Sequence, residues 1–254
     1  MVTLPWVIAG ALAGLLAGPP IRAVVFAGST STGEPPRRDC PHCSAPILPD
    51  RWRRPLLAVT GRCPACRARV GPYPLAAELA TAITLALVVA RASSGWELAA
   101  LAWLTLIAMP LALIDIAAHR LPNRLTAAAF AGILALLTVA ALTGHQPGRL
   151  ARAAAAAAAL AGFYLVLCLI RPGEMGLGDA KLAASIGLVL GWTSWQVLIT
   201  GTFAGFALAA LYGGARIIAR RATRTTQLPL GPFMLVGALV AFAALNLSGQ
   251  GWTA

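Results

Sequence analysis

Two aspartates stand at the edges of apolar runs: Asp115 in Leu113-Ile114-Asp115-Ile116, and Asp179, 64 residues further on, in Met175-Gly176-Leu177-Gly178-Asp179-Ala180-Lys181. A carboxylate at a membrane edge is costly to desolvate, which makes it a functional candidate ahead of other residues. Gly176 and Gly178 carry no Cβ, so a second backbone, such as an extended peptide, can come close to Asp179. Two carboxylates held together share a proton, because both cannot ionise cheaply side by side. The ionised member can take a proton from water, while the protonated member polarises a carbonyl and then protonates a leaving amine. That is peptide hydrolysis of the aspartic type, with Asp115 and Asp179 as the catalytic pair and Gly176 and Gly178 as the place of substrate approach.

The chain has only eight acidic residues. Glu34, Asp39 and Asp50 fall in a polar segment, Glu174 precedes the glycine motif, and Glu97 opens an apolar run. Glu78 is a third acid within apolar sequence and reads as a polar contact between helices. His119 would share a face with Asp115 only if a helix continued, and reads as a rim histidine. Pro122 ends the run that holds Asp115, and Asn123 is placed to cap the next helix. Lys181, two positions from Asp179, points to a different side of a helix and reaches for the membrane surface rather than for Asp179.

Four of the five cysteines form two C-x-x-C pairs, Cys40-Pro41-His42-Cys43 and Cys63-Pro64-Ala65-Cys66, separated by 19 residues. That spacing points to a four-cysteine zinc site, because each short gap lets two thiolates face one tetrahedral ion. Two disulfides or a redox pair are the competing readings, and a cytoplasmic position argues against them. Four thiolates leave no open coordination position, so the zinc is structural and would supply much of the folding energy of its loop. His42 lies between ligands and reads as exposed. Cys168, inside an apolar run, reads as a packing residue.

The elements that must position these groups are membrane spans. Of the 254 residues, 59% are hydrophobic and 11% charged, with a mean hydropathy of +0.77. A soluble domain carries about twice that share of charge. The fold class is therefore an all-α polytopic integral membrane protein with about eight transmembrane helices and a small cytoplasmic four-cysteine loop. Residues 1–27 form a retained first span with the N-terminus outside, carrying Arg22 and a Pro19-Pro20 pair that must bend or break its second half. Residues 28–73 are the cysteine loop, and 74–254 hold seven further spans. These lie at about 74–92, 96–117, 124–143, 150–170, 179–192, 195–215 and 229–248. The span at 179–192 is short for a bilayer and should start in a sheltered cavity. The Ala153–Ala159 run favours helix and lets helices approach closely.

The net charge of +12 does not indicate nucleic acid, because the basic residues sit in loops between spans. With the cysteine loop in the cytoplasm, 17 of the 20 basic residues fall on the inner side, leaving Arg91, Arg149 and Arg152 outside. Asp115 and Asp179 then both lie at the inner edge, and anionic membrane lipids are natural contacts of that face.

These motifs resemble those of the prepilin peptidases, the bacterial type IV leader peptidases of the G-x-G-D aspartic class. Asp115 with Leu121-Pro122-Asn123 is similar to the family's first aspartate motif, and Gly176-Leu177-Gly178-Asp179-Ala180-Lys181 to its second. Tyr73-Pro74-Leu75-Ala76-Ala77-Glu78 resembles the family's exit from the zinc loop, and Leu228-Pro229-Leu230-Gly231-Pro232-Phe233 its final segment. Gly18-Pro19-Pro20-Ile21-Arg22 stands where the family usually shows G-S-F-x-N, with no matching asparagine. The resemblance implies cleavage of the basic leader of type IV prepilins and pseudopilins at the cytoplasmic face of the bacterial inner membrane. It also implies N-methylation of the new terminus with S-adenosylmethionine. A proton-coupled transporter using Asp115 and Asp179 is the reading from another class; it would need neither the glycine frame nor the zinc loop. A presenilin-like intramembrane protease and a non-enzymatic assembly factor are two more.

Overall fold

Apolar sequence inside a bilayer has no water to satisfy its backbone, so it must close its own hydrogen bonds as helices. A computed structural model describes residues 4–30, 34–48, 61–73, 75–92, 94–170, 175–220 and 228–245. Among them are eight helices: α1 (Leu4–Gly28), α2 (Ala76–Arg91), α3 (Gly95–Ala118), α4 (Asn123–Thr143), α5 (Pro147–Ile170), α6 (Leu177–Thr193), α7 (Trp195–Ile218) and α8 (Leu230–Leu245). Each coincides with an expected span to within a few residues. Five of them, α1, α3, α4, α5 and α7, are long and apolar enough to cross a membrane. Helices α2, α6 and α8 have 16, 17 and 16 residues. At about 1.5 Å per residue they fall short of a hydrocarbon core of about 30 Å.

Local chemistry sets several of the ends. Ser94 and Ser194 start α3 and α7 by accepting hydrogen bonds from the Glu97 and Val197 amides. His119 ends α3 in the left-handed region (φ 48°), turning the chain into the Leu121-Pro122 connection. Two expectations are corrected here. Helix α1 continues through Pro19 and Pro20, so the pair does not break it. In membrane helices, neighbouring groups and local adjustments compensate for the amide that proline lacks. Asn123 does not cap α4; Pro122 occupies the N-cap, and Asn123 is the first helical residue.

Helix α6 is the centre of the bundle. It packs against α3, α4, α5, α7 and α8, and between Asp179 and Trp192 all but Lys181 and Ala184 are buried. Its closest neighbour is the alanine run of α5. A Cβ at Gly187 would lie 2.7 Å from Ala157 Cα, and one at Gly191 would run into Ala156. The close approach expected of the alanines is thus made, with glycines supplying the other half. Helices α1 and α2 form a second pair that docks on α3 through Ile21, Val25, Ala77 and Ile114.

Candidate active site and metal centre

Asp115 lies in the last turn of α3 and Asp179 in the first turn of α6, so opposite helix polarities bring both to one end of the bundle. Both are buried, at 5% and 8% exposure, and they lie within electrostatic reach of each other. Each is held by a backbone amide. Asp179 Oδ2 accepts from Gly176 N at 3.2 Å, folding the carboxylate back over the start of its own helix. Asp115 Oδ2 accepts from Gly231 N at 3.0 Å, across 116 residues of sequence. A Cβ at Gly231 would sit 2.9 Å from that same oxygen. Gly231 is therefore a third element of the site; the sequence showed it only within the segment that resembles the family's final motif, with no role attached.

The two aspartate motifs also touch directly. A Cβ on Gly178 would lie 2.8 Å from Leu121 Cβ, so the bare backbone there admits the loop that follows Asp115. Gly176 has no such neighbour; its Cβ would make only ordinary contacts with Gly178 N and Asp179 Oδ2. Lys181 Nζ donates to Asn123 Oδ1 at 2.7 Å, tying α6 to the start of α4, and makes no bond to Asp179. Cys168 is buried, as its apolar surroundings suggested, and its thiol approaches the Gly176 carbonyl at 3.4 Å.

Glu78 pairs with a different residue, not with either aspartate. It meets Arg22 between α1 and α2 in a two-pronged ion pair, with both contacts at 2.6 Å and Arg22 wholly buried. Gly18 makes room for it, since a Cβ there would fall on the Glu78 side chain. The signal was present in the sequence: Arg22 is the only charge in its apolar run and Glu78 the only acid in the next, and isolated buried charges must pair.

The four cysteines Cys40, Cys43, Cys63 and Cys66 converge, their sulfurs all within 4.8 Å of one another. Cys40–Cys66 and Cys43–Cys63 sulfurs stand 3.7 Å apart, and all four thiols are free, so they are not disulfides. A tetrahedral ion with metal–sulfur bonds of about 2.3 Å requires sulfurs about 3.8 Å apart, so the cluster fits a metal ion. The two halves are built alike. Cys40 N bonds Ala45 O and Ser44 N bonds Cys40 O, while Cys63 N bonds Ala68 O and Arg67 N bonds Cys63 O. Ser44 and Arg67 both take positive φ, at 54° and 57°, closing each turn round its sulfurs. Backbone amides of Cys66 and Ala65 are directed at the Cys63 sulfur and pull its thiol downward, while Cys43, despite a pull from the Ala45 amide, is pushed upward by desolvation and the neighbouring thiols, as expected of four sulfurs crowded together. Phe26 at the end of α1 packs beneath Cys40, Cys63 and Ile47, and Arg120 Nη1 reaches Thr30 O at 2.8 Å. The cysteine module is thus seated on α1 and stitched to the loop that follows Asp115.

A bundle of apolar helices that buries paired carboxylates at one end, beside a four-thiol module, is a polytopic membrane protein, and its relatives make it a membrane peptidase. The chain belongs to the type IV leader peptidase family. The family's sequence profile matches residues 98–214, which include both aspartates. A prepilin leader peptidase/N-methyltransferase of Aeromonas hydrophila is 32% identical over 218 residues, covering 81% of this chain and 71% of the relative. A protein of the same name from Bacillus subtilis is 30% identical over 211 residues, covering 82% of this chain and 81% of its own. Another from Pseudomonas aeruginosa is 30% identical over 218 residues, covering 81% and 71%. No solved structure matches the chain.

Proposed function

We propose that this chain is an aspartic endopeptidase that removes the N-terminal leader of type IV prepilins and pseudopilins at the cytoplasmic face of the bacterial inner membrane. What carries the reading is the meeting of Asp115 and Asp179 at one end of the bundle, each carboxylate steadied by a backbone amide, in a chain of this family. The pair shares one proton. Its ionised member takes a proton from water, whose oxygen attacks the scissile carbonyl carbon. Its protonated member hydrogen-bonds the carbonyl oxygen and then supplies the proton that lets the amine leave as the C–N bond breaks. The titration belongs to the pair, so acid and base are not assigned to single residues. Gly231 and Gly176 fix the two carboxylate orientations, and burial keeps bulk water from competing.

Zinc is the ion we assign to Cys40, Cys43, Cys63 and Cys66, on the strength of a four-sulfur tetrahedral donor set. Its role is structural: it would stiffen residues 28–73 and hold Phe26 and the Thr30–Arg120 contact in place. In this reading residues 1–27 are the first span and 74–254 the peptidase unit. The N-terminus is outside and the aspartates face the cytoplasm, where the loop arginines gather against anionic lipid. Methylation of the new N-terminus, with S-adenosylmethionine as co-substrate, is the second activity this reading assigns, on the relatives' names alone.

The test is incubation of membranes containing the chain with a full-length type IV prepilin and labelled S-adenosylmethionine. Mass spectrometry should find the leader released and the mature terminus methylated. A precursor left intact by a well-expressed chain, with proton flux that depends on Asp115 and Asp179, would instead establish a transporter.

A further inference from the structure

Arg91, Arg149 and Arg152 stand apart from the arginine-rich loops. Each turns its guanidinium onto carbonyls near the C-terminal end of a short helix, and Arg152 does so most fully. At the end of α6 the Ser194 amide takes the Leu190 carbonyl at 3.0 Å. The carbonyls of Gly191, Trp192 and Thr193 remain, the ordinary orphans of a helix end. Arg152 donates to all three: Nε to Gly191 O at 2.9 Å, and Nη2 to Trp192 O and Thr193 O at 3.0 Å each. Arg149 adds Nε to Trp192 O at 3.3 Å and lies over the Trp192 ring, 4.8 Å from its centroid. Arg91 Nη1 reaches Ala243 O, in the last described turn of α8, at 2.8 Å.

The need follows from length. Helix α6 spans 17 residues, about 25 Å, and stops short of a hydrocarbon core of about 30 Å. Carbonyls left bare at that depth are costly. A guanidinium offers five donors in a fixed fork, stays charged, and suits the negative end of a helix dipole. Glu97, buried at the start of α3, lies within electrostatic reach of Arg149 and offsets part of the positive charge.

The same helix carries Asp179 at its other end. Along its seam with α5, Ala153, Ala156 and Ala157 meet Gly187 and Gly191. Such a seam packs closely, but small side chains leave few knobs to resist sliding along the axis. The fork of Arg152, on α5 itself, supplies that resistance. We propose that Arg152, assisted by Arg149, is a positioning residue for the peptidase reaction: it sets the axial stand of α6 against α5, and so the height at which Asp179 meets Asp115. The inference rests on the reading of Asp115 and Asp179 as the reacting pair.

Two measurements on the full chain in membranes test it. In the first, Asp115→Cys and Asp179→Cys are combined with Cys168→Ala, and a short bifunctional maleimide joins the two new thiols, with the joined peptides quantified by mass spectrometry. Adding Arg152→Met should lower the joined fraction several-fold, with Arg152→Lys recovering part of it. In the second, the chain with both aspartates intact carries Arg152→Met and cleaves prepilin. Its kcat should fall about tenfold to a hundredfold, the cost of a misplacement of about 1 Å, with KM held within about twofold. Should Arg152→Met not accumulate, Arg152→Gln, with two donors in place of five, is read in the same way. An unchanged joined fraction overturns the inference whatever the rate does. A reduced joined fraction with cleavage intact overturns instead the aspartate reading beneath it.

Discussion

The Arg22–Glu78 pair gives a prediction whose size can be worked from its geometry. Arg22 is wholly buried, the Glu78 side chain is 8% exposed, and two contacts of 2.6 Å join them. Removing one partner of such a pair leaves the other charge buried and uncompensated, at a cost of about 3–5 kcal/mol. Glu78→Gln keeps one oxygen acceptor for the guanidinium and should fall near the lower end, about 3 kcal/mol. Replacing both, as Arg22→Met with Glu78→Leu, removes both charges and fills much of the volume, so the double variant should lie within about 1 kcal/mol of wild type. Equilibrium unfolding in mixed micelles reads these differences, and wild type, Arg22→Met, Glu78→Leu and the double variant close a double-mutant cycle. Gly18→Ala, which drives a methyl group into Glu78, should resemble the single variants. Glu78→Gln that remains folded should still cleave within about tenfold of wild type, since both Glu78 oxygens are taken up by Arg22. The reasoning fails if Glu78→Gln costs less than about 1 kcal/mol, or if the double variant loses the sum of the two singles.

Chelation, or Cys40→Ser with Cys63→Ser, should remove bound zinc and expose the cysteine module to protease; near-stoichiometric zinc in that double variant would refute the site. Gly231→Ala sets a Cβ 2.9 Å from Asp115 Oδ2, and Gly178→Ala sets one 2.8 Å from Leu121 Cβ. Both should lower kcat about tenfold to a hundredfold in folded protein, and a Gly231→Ala enzyme of normal kcat would remove that residue from the site. Single cysteines at Gly148 and Ala219 should be labelled by an impermeant reagent from opposite sides, Ala219 from the cytoplasm; labelling of both from one side would end the proposed orientation.

The helices were legible because apolar length alone fixes them, and the α1–α8 bounds follow the runs closely. The cysteine cluster was legible because its ligands lie in two short, self-contained turns. What escaped were contacts between distant helices. In lipid a helix is apolar on its outer face as well as its inner one, so the periodicity that reports a packing face in water is faint. Nothing in the sequence near Gly231 says that its amide will reach Asp115, or that Leu121 will fill the space over Gly178. Asn123 was read as a cap because of its position after Pro122, yet its side chain serves Lys181, 58 residues away. Arg91, Arg149 and Arg152 were read only as charges on the outer side of the membrane, whereas they donate to backbone carbonyls at the ends of α6 and α8.

The central claim is that Asp115 and Asp179 act as one chemical unit. Its most direct measurement is the single-turnover rate of prepilin cleavage by Asp115→Asn, Asp179→Asn and the double variant, each checked for accumulation. Asparagine keeps the shape and removes the ionisable proton. Each single substitution should cost on the order of a thousandfold or more, and the double should cost no more than either alone. A folded Asp179→Asn enzyme that cleaves prepilin near the wild-type rate would contradict the account.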